Sequence, residues 1–323
     1  MTDYDAFTAT KNGDYKALLC LKEAGYDLKN AEERGYTLAI VAAQYGHVDC
    51  LRFLKKAGCD LGQASNIGAT PAHVAAQNGH EACLRLLKEA GCDLGLANND
   101  GVTPAYMAAL QGYDSCLCVL KEAGCDLGKA RNDGRTPAHL AAQNGHVNCL
   151  RLLKEFGYDL EKTNSKGITP EHLAAKNGHT PCLRILKDAN CNLGRTDKNG
   201  LTPAHRAALK GHEGSLRLLM NAGCNREQTI KNGLPLACIA ARNGHKDCLH
   251  VLIEAGCNLS EEYAGSTPAH EAAHNGHKAC LRVLKEAGCN LGLAYNGNTP
   301  ACLAASSGHK DCLELLIRYG YSI

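Results

Sequence analysis

Tryptophan is absent from the 323 residues, and the charges nearly cancel, with 35 Lys and Arg against 33 Asp and Glu for a formal +2. No apolar run approaches the roughly 18 residues that a membrane span needs, which argues against membrane insertion. Without a charge excess, nucleic acid and charged membrane surfaces are not expected partners. The opening MTDYDAFTATKNG lacks the basic start and apolar centre of a secretory signal, so a cytoplasmic site is expected, with the nucleus also open. Linkers and low-complexity stretches are missing as well, leaving no room for a second domain of ordinary size. Catalytic motifs are equally scarce: there is no phosphate loop, nucleophile elbow or clustered carboxylate pair. No enzymatic activity and no cofactor are expected.

Repetition takes their place. Residues 133–165 read DGRTPAHLAAQNGHVNCLRLLKEFGYDLEKTNS, and residues 67–99 read IGATPAHVAAQNGHEACLRLLKEAGCDLGLANN. A glycine anchors each copy, at Gly13, Gly46, Gly79, Gly112, Gly145, Gly178, Gly211, Gly244, Gly276 and Gly308, spaced by 33 residues and then by 32. Such a period marks an array in which each unit packs only on its neighbours. The chain is accordingly expected to be one repeat domain, 1–323. Its repeats fall at about 2–31 (an N-terminal cap), 32–64, 65–97, 98–130, 131–163, 164–196, 197–229, 230–261, 262–293 and 294–323 (a C-terminal cap).

Within one unit, Thr136-Pro137 starts a helix. Thr caps the first free N–H groups, and Pro at the first helical position gives up a donor that has no partner there. The Ala141-Ala142 pair thins one face for close packing, and Asn144-Gly145 ends the helix. In the second helix, Val147, Leu150, Leu152 and Leu153 lie mostly on one face, with Arg151, Lys154 and Glu155 outside. Segments such as ANNDG and DKNG then predict a projecting β-turn.

The register G-x-TPAH-x-AA-x-x-GH-x-x-C-L-x-x-LKEAG-C-D-L, held over all ten units, resembles the ankyrin repeat. That resemblance implies an all-α solenoid of helix-turn-helix units with projecting β-turn loops. It implies a concave face, lined by first helices and turn tips, that binds another protein without catalysis. It also implies that the TPxH histidines (His73, His139, His172, His205 and His270) tie turn to helix. Departures from the pattern are local. Thr37-Leu38 replaces Thr-Pro in the second repeat, the eighth reads GLPLACIAA, and the turns before Thr267 and Thr299 are one residue short.

Fifteen of the 19 cysteines form two columns, four and thirteen positions after the anchor glycine. Along the helix the two columns stand roughly 10 Å apart, against the 4.4–6.8 Å that a disulfide spans. The recurrent His-x-x-Cys pairs offer two ligands per repeat where zinc needs about four, so no metal is expected. The thiols read as small apolar fillers, with redox sensing by Cys118 or Cys20 as the alternative.

Partner recognition should lie where the copies differ. The fourth repeat departs most, with Tyr106, Met107, Leu110, Gln111 and Tyr113 at positions expected to face outward. Repeats seven to nine carry Arg206, Leu209, Lys210, Arg242, Glu271 and His274. These suggest a bipartite site, apolar in one part and charged in the other. The turn tips Arg135, Lys166, Lys198, Lys231, Tyr263 and Tyr295 would touch the same ligand. The leading expectation is a monomeric adaptor, scaffold or effector that binds a protein. A thiol-rich metal or redox protein and a subunit regulating an enzyme are the alternatives.

Overall fold

The computed structural model describes residues 5–29, 32–33, 35–225, 234–260 and 266–321. By its contacts the chain divides into two compact units, Met1–Ser165 and Lys166–Ile323. Each is a stack of helix pairs.

The first unit holds α1 (Ala6–Lys11), α2 (Tyr15–Glu23), α3 (Leu38–Gln44), α4 (Val48–Ala57), α5 (Pro71–Asn78) and α6 (Glu81–Glu89). It continues with α7 (Pro104–Gln111), α8 (Asp114–Glu122), α9 (Pro137–Asn144) and α10 (Val147–Glu155). A short antiparallel pair, β1 (Glu32–Glu33) with β2 (Tyr36–Thr37), precedes α3. First helices pack on first helices, α3 on α5, α5 on α7 and α7 on α9, while second helices form a parallel row behind them.

The second unit repeats the plan with α11 (Pro170–Lys176), α12 (Thr180–Asp188), α13 (Pro203–Lys210), α14 (Glu213–Asn221) and α15 (Leu236–Arg242). Then follow α16 (Lys246–Glu254), α17 (Pro268–His274), α18 (Lys278–Glu286), α19 (Pro300–Ser306) and α20 (Lys310–Arg318). The first helices α11, α13, α15, α17 and α19 again stack in order.

The predicted caps form. Thr103 accepts the Tyr106 N–H, and Thr202 accepts the His205 N–H while the Thr202 N–H donates to His205 Nδ1 at 3.2 Å. At the eighth repeat the N-cap is Pro235, which offers no side-chain acceptor, so the irregularity seen in the sequence is a real gap in capping. The second repeat keeps its cap, because Thr37 still accepts the Ile40 N–H. The short turn before Thr299 closes as a bridge between Tyr295 and Asn298, with Asn296 at φ 50°. The turn before Thr267 lies outside the described residues.

The anchor glycines have two reasons to be glycine. All ten have φ between 74° and 86°. At Gly211 a Cβ would also stand 2.6 Å from the ring of His245, the histidine of the following repeat. That ring docks on the glycine and donates from Nε2 to the Leu209 carbonyl at 3.3 Å. The same bond joins His47 to Lys11, His80 to Gln44, His146 to Leu110, His212 to Lys176 and His277 to Arg242, at 2.9 to 3.1 Å. One repeated Gly-His thus terminates a helix and fixes its spacing to the next.

Leucines of the second helices fill the space between the rows, with Leu51, Leu84, Leu117, Leu150, Leu183, Leu216, Leu249 and Leu281 fully buried. Each contributes roughly 1.5–3 kcal/mol. The first cysteine column is as deeply buried: Cys50, Cys83, Cys116, Cys149, Cys182, Cys248, Cys280 and Cys312 expose nothing to solvent.

Candidate functional site

In five repeats the TPxH histidine is a buried staple. His73 accepts the Thr70 N–H on Nδ1 at 3.1 Å, which assigns the proton to Nε2. Nε2 then donates to the Val102 carbonyl at 3.0 Å, in the next repeat. His172 reaches Leu201 and His270 reaches Asn298 in the same way. Burial lowers the affinity of His73 and His172 for a second proton, pushing His172 down to about 4. The tie from turn to helix is thus in place, and His73, His172 and His270 use both ring nitrogens.

Tyr106 stands in that histidine column, and this corrects the expectation that it faces outward. It is only 5% exposed, packed with Val102 and Leu140, and Met107 and Leu110 lean partly buried against the cluster. Through Leu140 of the following repeat the ring makes an apolar inter-repeat contact where histidine makes a hydrogen bond elsewhere. Tyr113 stands in the Gly-His column. It packs over Gly79, where a Cβ would meet its ring at 2.7 Å, and remains 37% exposed. The surface the fourth repeat presents is therefore the outer side of Met107, Leu110 and Tyr113, with Gln111 exposed.

The charged residues of the second unit also sort differently from expectation. Arg206 is spent on Asp197, whose side chain is 1% exposed, and the pair ties α13 to its own turn. Glu271 is not a displayed charge but a buried one, a second correction. Arg242 grips it with two bonds of 2.7 and 2.9 Å, and Ser266 adds a third at 2.8 Å. Burial alone would raise the Glu271 carboxyl, but the bonds from Arg242 and Ser266 outweigh it and hold the group below its usual range. Both pairs arise because a carboxylate on a low-exposure position must have a partner. Lys210, Arg242 and His274 do reach solvent, and Leu209 is half-buried between repeats. Sequence reading passed over Lys176, which occupies on α11 the position that Leu209 has on α13 and is exposed. Its signal was the register alone.

Among the turn tips, Arg135 is held by its own Asp133 at 2.8 Å. Lys166 and Lys198 are exposed and joined through the backbone, Lys198 N–H to Lys166 carbonyl at 3.1 Å. Tyr295 lies edge-on to His270 with ring centroids 5.5 Å apart. Lys231 and Tyr263 lie outside the described residues.

All nineteen cysteines are free thiols. Burial pushes the first column up, to about 12 at Cys83, Cys149, Cys248 and Cys280, far from the thiolate that redox chemistry and metal binding need. Cys118 is raised too, mainly by burial, whereas Cys20 is exposed. Among the described residues no three His, Cys, Asp or Glu side chains gather as a metal site. Nor is any described helix long and apolar enough to cross a membrane.

A family model for ankyrin repeats matches residues 6–98, 83–164, 105–197, 156–232 and 237–323. The chain belongs to the ankyrin-repeat family. A search of curated proteins returns no matching relative. Ankyrin repeats are in general protein-binding modules, and the staples, glycine docks and buried cysteines described above are the framework of such an array. The residues left over, on the outer sides of the first helices, are its candidate binding surface.

Proposed function

We propose that the chain is a non-enzymatic protein-binding module, an adaptor, scaffold or effector of the cytoplasm or nucleus, that engages its partner through the first-helix faces and turn tips. One observation carries this reading. The staple histidines and the first cysteine column are buried in the stack, while the positions just before the anchor glycines differ between copies and reach solvent. Met107, Leu110 and Tyr113, with Gln111 beside them, give the first unit an apolar patch of the kind interface centres favour, and Lys176 and Lys210 give the second unit two exposed cations. The raised thiols count against the competing reading of a redox or metal protein.

The test is affinity purification from native lysate under reducing conditions, comparing the wild type with a Met107→Ser/Leu110→Ser/Gln111→Ala variant of verified fold. A protein retained by the wild type and lost from the variant supports the reading for the first unit. Identical sets from both would remove α7 from the binding surface.

A further inference from the structure

The turn before α19 is one residue short, and the way it closes leaves a side chain over. In longer turns the corresponding residue closes the loop on itself. Ser65, Asn98 and Asp197 each accept, on a side-chain oxygen, the N–H of the residue four positions on, at 2.9 to 3.2 Å. Each also donates its own N–H to the carbonyl of that residue at 2.8 to 2.9 Å. The tenth turn closes on backbone alone, with Tyr295 and Asn298 exchanging two bonds of 2.9 Å. The Tyr295 ring is thereby released from its turn. It lies edge-on to His270 and walls a cavity of about 440 Å³ bordered by α15, α17 and α19. Pockets that receive small ligands span roughly 300–1,000 Å³, so this one has room for a large side chain.

The lining selects the occupant. Arg242 and Glu271 meet at the cavity and cancel through two bonds of 2.7 and 2.9 Å, and Nδ1 of His274 lies 3.0 Å from the Ser307 hydroxyl. An ionised ligand would have to compete with a pair that is already satisfied. Held at two points, the Arg242 guanidinium has a fixed plane, and a fixed guanidinium is a stacking surface for an aromatic ring. Tyr295 and the half-buried Leu303 add apolar wall. One directional group remains. Asn275 donates its side-chain amide to the Glu271 carbonyl at 2.9 Å, and its Oδ1 has no donor among the described residues. The complement of this lining is flat, largely apolar and uncharged, with one N–H to give. Tryptophan has all four properties, since its indole donates and does not accept. The chain itself contains no tryptophan, so the occupant comes from another molecule.

We propose that this cavity receives a tryptophan side chain of the partner protein, its ring against Tyr295, Leu303 and Arg242 and its indole N–H on Asn275. This rests on the protein-binding reading and names the residue that the second unit recognises.

The experiment uses the full chain and N-acetyl-tryptophanamide, whose blocked ends imitate a residue within a chain. Because the protein has no tryptophan, indole emission excited where tyrosine does not absorb reports the probe alone. Titrating protein into probe should give a saturable blue shift with Kd below about 1 mM. Methylating the indole nitrogen of the probe should weaken binding by about fivefold, the size of one net hydrogen bond. Tyr295→Ala/Leu303→Ala, with its fold verified by thermal melting, should weaken it by about tenfold or more. Met107→Ser, in the first unit, should cost nothing. No saturation, a methylated probe that binds equally well, or equal displacement by N-acetyl-leucinamide overturns the proposal. So does tighter binding of free tryptophan, which would make this a site for the amino acid. If the probe fails while the wild type still captures proteins from lysate, only the tryptophan site is discarded. A wild type that captures no protein counts against the protein-binding reading whatever the probe does.

Discussion

Lowering the pH from about 7.5 to 5 should weaken the fold through histidines that it keeps neutral, and His172 allows the size to be worked out. Its ring is fully buried, Nδ1 accepts the Thr169 N–H at 3.3 Å, and Nε2 donates to the Leu201 carbonyl at 2.9 Å. A second proton would have to displace the Thr169 bond inside an apolar stack. Burial accordingly lowers the pKa from 6.5 to about 4, against the smaller opposing effect of the bond to Leu201. Below pH 6.5 the unfolded chain takes up a proton that the folded chain refuses. The contribution is thus complete above 6.5, shrinks as the pH falls, and is gone near 4. The slope is about 1.4 kcal/mol per pH unit, giving about 2 kcal/mol lost by pH 5 and about 3 in all. His73 shifts in the same direction for the same reason. Urea unfolding followed by circular dichroism at the two pH values measures the loss, and His172→Leu should reduce it by about 2 kcal/mol. An imidazole resonance of His172 that titrates at or above pH 6 in the folded chain would refute the reasoning, as would a variant with unchanged pH dependence.

Three further outcomes follow from single contacts. Gly211→Ala must place a Cβ 2.6 Å from the His245 ring at a backbone φ of 74°, whereas Gly223→Ala meets open space at φ 79°. Both lose roughly 1–2 kcal/mol to the left-handed backbone, and urea titration should show Gly211→Ala costing measurably more. Equal losses would dismiss the histidine dock. Pro235→Thr restores the missing N-cap acceptor of α15 and should stabilise the second unit by about 1 kcal/mol. The wild-type α15 should exchange amide hydrogens faster than α13, and equal protection would contradict the role given to the cap. Under native conditions an aromatic disulfide reagent should label Cys20 promptly and leave Cys83, Cys149, Cys248 and Cys280 unmodified until denaturant is added. Early labelling of any of these four, read by peptide mass, would reopen thiol chemistry.

The fold was legible in the sequence because its determinants are local and recur. Thr-Pro starts, Gly-His stops and the leucine face of each second helix act within a few residues, and thirty-three residues later they act again. The first cysteine column was read by the same means, whereas the second, expected to fill the core too, is only partly buried except at Cys191. The candidate site was harder, and Tyr106 shows why. Its aromatic character drew attention, but its place in the chain is the histidine column, and column position decides burial whatever residue fills it. Aligning Tyr106 under His73 would have marked it as a member of that buried column. The pairs Arg206 with Asp197 and Arg242 with Glu271 span 9 and 29 residues. No rule of local spacing announces them, and only the stacking of one turn or helix on the next brings the groups together.

What varies between copies is therefore of two kinds, and only one bears on recognition. Tyr106 and Tyr113 replace histidines and keep an inter-repeat contact, one by packing on Leu140 and the other by covering Gly79. Glu271 is an exchange that its partner Arg242 cancels within the fold. Such substitutions look like binding determinants in a sequence because they break the pattern, yet their cost and benefit are settled inside the stack. Met107, Leu110, Gln111, Lys176 and Lys210 have no such internal account. The apolar members leave hydrocarbon half in water, and Lys176 and Lys210 stand exposed with no exposed carboxylate on their own helices. An array whose stability is a sum over neighbouring repeats can carry these positions at small cost to itself. Their chemistry is free to be set by whatever lies against them.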